Sequence, residues 1–171
     1  FRDILEIGTE LRHDTYDLFM RVPEPLVPRH RRLGVAERLL PDGSVREALD
    51  EASAREAARA LRDAGAKAVA VCFLHAFRNP AHEARMREIL AEEAPDLTVC
   101  LSSEVVPEIG EYERASTTVC NAYVQPVFER YLRRLSDGLR GFGLTGPLFL
   151  MLSDGGTVAE ETAARHPIRL V

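Results

Sequence analysis

The chain has no tryptophan, few aromatics, three cysteines and a single lysine. It has no apolar run near the roughly 18–20 residues that a membrane-spanning helix needs, so no membrane segment is expected. No basic and apolar signal peptide opens the chain. The lone lysine, Lys67, leads into an apolar run, which excludes a phosphate-loop or Schiff-base lysine within these residues. Cys72, Cys100 and Cys120 match no metal-binding spacing, and an odd count argues against a disulfide framework. Reduced thiols in a cytoplasmic protein are the expectation. Acidic residues outnumber basic ones, 27 to 22. The net charge is −5, where a nucleic-acid-binding domain would present a basic face, so no nucleic-acid partner is expected. The one dense basic cluster, Arg29-His30-Arg31-Arg32, reads as the solvated start of a strand.

What is present describes a globular piece. The 171 residues suffice for one domain, or one domain and part of a second, and 46% hydrophobic with 29% charged residues suits a packed core. The chain begins at Phe1, which suggests an internal piece of a longer protein.

Hydrophobic period and turn chemistry predict the elements. FRDILEIG allows a turn or two of helix, and PEPLVP forces extended chain. Residues 32–39 read as a strand, PDGS as a hairpin turn and 45–49 as the return strand. Asp50 caps a helix whose Ala57, Leu61 and Ala64 share a face, and Gly65 ends it. KAVAVCF (67–73) is a buried strand. Asn79-Pro80 starts a second helix with Met86, Ile89 and Leu90 inward, and LTVCLS (97–102) is the next strand, in a parallel pair with the first. A long helix follows, about 111–140, with Val119, Tyr123, Val127, Tyr131 and Leu135 in one stripe and a kink at Pro126. GPLFLML (146–152) predicts a strand buried on both faces, SDGG a turn into a helix from Thr157, and IRLV the opening of another strand.

Two stretches could carry chemistry. The first runs from residue 102 to 126 and holds Glu104, Glu108, Glu111, Glu113 and Arg114. A loop after a parallel strand is where α/β folds place ligands. Glu111 and Glu113 suit a helix start, whereas Glu104 and Glu108 precede it and are free for metal, nucleophile or cation work. With Arg114 they are expected to line an open cleft, because unpaired charge is costly to bury. The second stretch is FLHAFRNPAHE (73–83), where His75 lies just past a strand end. His82 and Glu83 lie in a first helical turn, where packing or solvent exposure is the plain reading. Ser153-Asp154-Gly155-Gly156 is a third candidate, for a phosphate or polar ligand, because a strand-to-helix junction exposes N–H groups and glycines permit close approach.

Together VCFLHAFRNPAHE, LSSEVVPEIGEYERASTTVCNAYVQP and LMLSDGG resemble consecutive segments of the hydantoinase A family, and FRDILEIGTELRHDTYDLF resembles the segment before them. That family includes N-methylhydantoinase, 5-oxoprolinase and the acetone and acetophenone carboxylases. The resemblance implies an α/β, actin-like (ribonuclease H-like) two-domain ATPase fold. It would comprise a mixed sheet with flanking helices and a long kinked connecting helix. Residues 1–110 would be the remainder of a first domain, 111–145 the connector and 146–171 the start of a second domain. It further implies ATP with Mg or Mn, a hydantoinase B-type second subunit or domain and a small cyclic amide substrate. A homo-oligomer is compatible with it.

Under this resemblance, Glu104, Glu108, Arg114 and His75 are candidate catalytic residues, and Ser153, Asp154, Gly155 and Gly156 candidate cofactor-binding residues. Asp154 stands where the family more often has Asn. The family's phosphate loops would fall outside these 171 residues, so the piece alone is expected to be inactive, with no cofactor bound. Alternatives are a carboxylase subunit, a sugar kinase-like ATPase, which the EIGEYERASTT segment disfavours, and a non-enzymatic interaction module.

Overall fold

A computed structural model describes residues 1–9, 15–19 and 23–170. Residues 10–14 of the FRDILEIGTELRHDTYDLF segment and the final Val171 lie outside the described residues.

The fold is α/β. Helix α1 spans Ile4–Ile7, and a 3₁₀ turn spans Arg29–Arg31. The basic cluster is not wholly solvated. Arg32 is buried, donating to the Val27 carbonyl at 3.0 Å and to Glu6 at 3.2 Å. Strands β1 (Arg38–Leu39) and β2 (Val45–Glu47) form a short antiparallel hairpin, with residues 32–37 irregular rather than strand. Asp42 closes its turn by accepting from the Ser44 N–H at 2.9 Å, and Gly43 takes φ +88°.

Helix α2 (Glu51–Asp63) starts where expected, the Asp50 carboxylate accepting from the N–H groups of Ala52 and Ser53. Its buried face is Ala54, Ala57 and Ala58 rather than reaching Ala64. Strand β3 (Ala68–Val71), helix α3 (Ala81–Glu93) and strand β4 (Thr98–Leu101) form a β–α–β unit, with β3 and β4 parallel and in register from Ala68–Thr98 to Val71–Leu101. A short helix α4 (Ser102–Val105) precedes the long α5 (Glu111–Gly141), which carries Pro126 within it.

The β3–β4 pair is covered on both faces, and strand periodicity divides its side chains between them. Val69, Val71, Val99 and Leu101 pack with Ala54, Ala58, Met86, Ile89 and Leu90. Ala68, Ala70 and Cys100 face the other way, toward Val105 and Ala122.

Helix α5 buries a different stripe from its apolar one. Tyr123, Val127 and Tyr131 are exposed at 68%, 60% and 56%, while Arg114, Thr118, Asn121 and Gln125 are buried. The buried face at this end of the helix is therefore largely polar, with Ala115 and Ala122 beside these residues, and its hydrogen bonds make that burial tolerable. Thr118 donates to the Arg114 carbonyl at 2.6 Å. Gln125 Oε1 accepts from the Cys100 thiol at 2.9 Å. Asn121 clasps a distant segment, donating to the Arg165 carbonyl at 3.0 Å and accepting from the Ile168 N–H at 3.3 Å.

The C-terminal part departs further. Strand β5 (Phe149–Met151) pairs antiparallel with β6 (Thr157–Ala159), and Phe149 and Met151 are exposed. A strand buried on both faces is thus not observed, and helix α6 begins at Glu160 rather than Thr157. Residues Pro167–Leu170 form a 3₁₀ turn instead of a strand.

Helices α2 and α3 are clasped by ion pairs. Glu93 receives Arg59 at 2.8 Å and Arg55 at 3.1 Å. These bonds, Arg59's foremost, hold the Glu93 carboxyl at about 2 against an ordinary 4.5. A lowered carboxyl pKa contributes stability above the unfolded value and loses it as pH falls through the folded one. The melting temperature should therefore drop between about pH 4.5 and pH 2, and Glu93→Gln should flatten that drop. An unchanged pH dependence in the variant would count against the clasp.

Candidate functional site

The C-terminal ends of β3 and β4 carry the polar residues of interest. The loop after β3 holds Phe73 to Asn79, and the segment after β4 runs from Ser102 to Gly110. Between them lies a buried charge network that the sequence reading did not anticipate.

Glu83 is its acid. It lies in the first turn of α3, where helix polarity favours a carboxylate, and is fully buried. Its Oε1 accepts from the Phe73 N–H at 2.9 Å and from Ser102 Oγ at 2.6 Å, and its Oε2 accepts from the Ser103 N–H at 2.9 Å. One carboxylate thus satisfies backbone donors from the ends of two strands.

Arg114 is its base, 1% exposed. Nε donates to Ser102 Oγ at 3.2 Å, one Nη to the Glu108 carbonyl at 3.2 Å and the other to the Phe73 carbonyl at 3.0 Å. The guanidinium also sits over the Phe77 ring, 5.5 Å from its centre. Ser102 links the two charges, donating to Glu83 while accepting from Arg114. Both backbone polar groups of Phe73 therefore end on charged side chains.

This geometry corrects the expected open cleft of Glu104, Glu108 and Arg114. Arg114 belongs to the core, because its charge is matched by Glu83 through Ser102 and its donors meet carbonyls. Glu104 turns to the surface and pairs with Arg87, whose hydrogen bond lowers the Glu104 pKa. Glu108 also keeps an exposed side chain, while its backbone carbonyl is held by Arg114. Gly110, at φ +118°, makes the turn into α5, and a Cβ there would meet Glu113 Oε2 at 2.8 Å.

His75 sits at the β3 end with φ +59°, the one described non-glycine residue with positive φ. Its carbonyl accepts from Arg78 N–H at 2.9 Å, closing a turn, and its ring meets Phe77 edge-on. The residue lines an open depression of about 350 Å³ with Leu74, Arg38, Arg46 and Glu47. The next histidine in the chain, His82, is buried and pairs with Glu37 at 2.8 Å, which fastens α3 to the residues before β1.

Cys72 lies at the same strand end. Burial, with the Glu83 charge second, pushes its thiol up to about 12, and burial likewise raises Cys100. Neither is activated as a nucleophile.

Ser153-Asp154-Gly155-Gly156 is not a strand-to-helix junction. It is the turn of the β5–β6 hairpin. Asp154 Oδ1 accepts from the Gly156 N–H at 2.8 Å, and the Gly155 N–H donates to the Leu152 carbonyl at 3.0 Å. The two glycine donors expected to meet a ligand are used inside the turn. Among the described residues no group of three or more His, Cys, Asp or Glu is arranged for a metal ion, and no residue here is assigned to one. No described helix is long and apolar enough to cross a membrane.

Comparison with known proteins finds relatives over nearly the whole chain. The family model for the hydantoinase/oxoprolinase N-terminal region matches residues 1–94, and that for hydantoinase/oxoprolinase matches residues 114–171. The chain is 39% identical over 156 residues to the caprolactamase subunit alpha of Pseudomonas jessenii, covering 90% of this chain and 22% of that one. The crystal structure of the ATP-dependent caprolactamase from Pseudomonas jessenii superposes with a TM-score of 0.85 at 38% identity, over 93% of this chain and 23% of that one. The nucleotide-free structure of acetone carboxylase superposes with a TM-score of 0.78 at 32% identity, over 87% of this chain and 22% of that one. The chain thus spans about a quarter of the length of the relatives it matches. It belongs to the hydantoinase/oxoprolinase family.

Proposed function

We propose that the chain is part of an ATP-dependent amidohydrolase subunit that opens a cyclic amide, such as a hydantoin or 5-oxoproline, after phosphorylation of its carbonyl oxygen by ATP. The observation that carries this reading is the likeness in fold and sequence to an enzyme named an ATP-dependent caprolactamase, across nearly the whole of this chain. Caprolactam is itself a cyclic amide. An amide carbonyl is a poor electrophile, and phosphorylating its oxygen makes that oxygen a leaving group. A divalent cation, Mg or Mn, would accompany the nucleotide.

Within this reading Glu108 is the candidate acid–base residue, because its carboxylate is solvent-facing on a strand-end loop held at its carbonyl. His75 is a candidate for substrate contact at the neighbouring loop. The division into residues 1–110, 111–145 and 146–171 fits with a long helix running on from the strand-end loop, and the partner is a hydantoinase B-type subunit. Three free cysteines support a cytoplasmic setting.

Ketone carboxylation is the second reading, favoured by the likeness to acetone carboxylase. ADP release by the full-length protein with its second subunit separates the two. Stimulation by hydantoin, 5-oxoproline or a lactam without bicarbonate is expected. Stimulation only by a ketone with bicarbonate would replace the amidohydrolase reading.

A further inference from the structure

We propose that Arg114 is a positioning residue that holds the loops after β3 and β4 as one rigid unit, so that Glu108 and His75 keep a fixed relative placement. The proposal deepens the amidohydrolase reading and rests on it for its kinetic part. Its structural part stands on the geometry alone.

Three features carry it. The guanidinium donates to three separate segments, the Phe73 carbonyl after β3, Ser102 Oγ at the end of β4 and the Glu108 carbonyl two residues before Gly110. A planar fork can do this in one orientation, whereas a lysine ammonium is a point charge on a flexible stem. The opposite charge reaches the same segments from the other side, since Glu83 accepts from Phe73, Ser102 and Ser103. Phe73 and Ser102 are therefore each gripped by both charges. Finally, the two loops bear the two candidates. Glu108 is itself a carbonyl partner of Arg114, and His75 lies two residues beyond Phe73 with a left-handed backbone fixed by its turn. Arg114 is buried, so it acts on substrate only through these loops.

The test uses the full-length protein with its second subunit. Amide hydrogen exchange in Arg114→Lys should quicken in both loops, 73–79 and 103–110, while α2 and the body of α3 stay protected. With a cyclic amide substrate, kcat should fall about 100-fold, the scale of loss when reacting groups are misplaced by about an ångström, while the KM for ATP stays near the wild-type value. Should Arg114→Lys fail to fold, Ser102→Ala keeps both charges and removes only their hydroxyl link, and it too should quicken exchange in both loops. Quickening in one loop alone, or exchange spread evenly over the protein, overturns the coupling. A folded Arg114→Lys with wild-type kcat overturns the positioning role. Absence of cyclic-amide turnover in the wild type would instead reject the proposed activity, and the exchange experiment would still decide the coupling.

Discussion

Glu83→Gln should destabilise the protein by about 3–5 kcal/mol, the usual cost of breaking a buried charge pair by removing one partner. Two effects add. The substitution removes the negative charge that matches buried Arg114 through Ser102. It also sets the new amide N–H₂ against a donor, because both Glu83 oxygens accept from groups that cannot turn away, the N–H of Phe73 and the N–H of Ser103. Whichever way the amide lies, one backbone donor loses its acceptor. Glu104→Gln is the control. Its partner Arg87 and its own side chain are both largely exposed, at 41% and 48%, so the loss should stay within about 1 kcal/mol. Denaturant unfolding followed by circular dichroism measures both. Equal effects from the two substitutions would show that the Glu83 network does not hold the strand ends together.

Glu108→Gln should do the reverse. In the full-length protein it is expected to lower kcat by roughly 10²–10⁴, the range for removing a general acid or base, with little change in melting temperature. Its side chain is exposed, and the bond from Arg114 goes to its backbone carbonyl, which the substitution leaves in place. Steady-state turnover beside a thermal melt checks this. Wild-type turnover would remove Glu108 from the chemistry, and a large fall in melting temperature would make its role structural.

The difference between these two glutamates shows what local sequence conveys. Asp50, Asn79 and the short apolar runs announced α2, α3, β3 and β4, because caps and strand hydrophobicity are properties of a few adjacent residues. The parallel pairing followed from the strand–helix–strand order. Glu83 looked like an ordinary first-turn acid, since its partners Phe73 and Ser102 lie 10 and 19 residues away in the chain. A signal was present in α5, where Arg114, Thr118, Asn121 and Gln125 recur at helical spacing. The apolar stripe of Tyr123, Val127 and Tyr131 lies on the exposed side instead. Burial there follows hydrogen-bond satisfaction rather than hydrophobicity. The SDGG turn was misplaced for a similar reason. LFLML is apolar enough for a fully buried strand, yet β5 meets only β6 among the described strands, and the turn closes a hairpin.

The most direct test of the account follows an oxygen atom. The full-length protein, with its second subunit and ATP, is given a cyclic amide labelled with ¹⁸O at its carbonyl. If ATP phosphorylates that oxygen and it leaves with phosphate, two water molecules supply both oxygens of the new carboxylate. Each ring opened then yields one ADP and one inorganic phosphate carrying the label. A ring-opened product that keeps the ¹⁸O in its carboxylate, with unlabelled phosphate, would contradict departure of the activated carbonyl oxygen with phosphate.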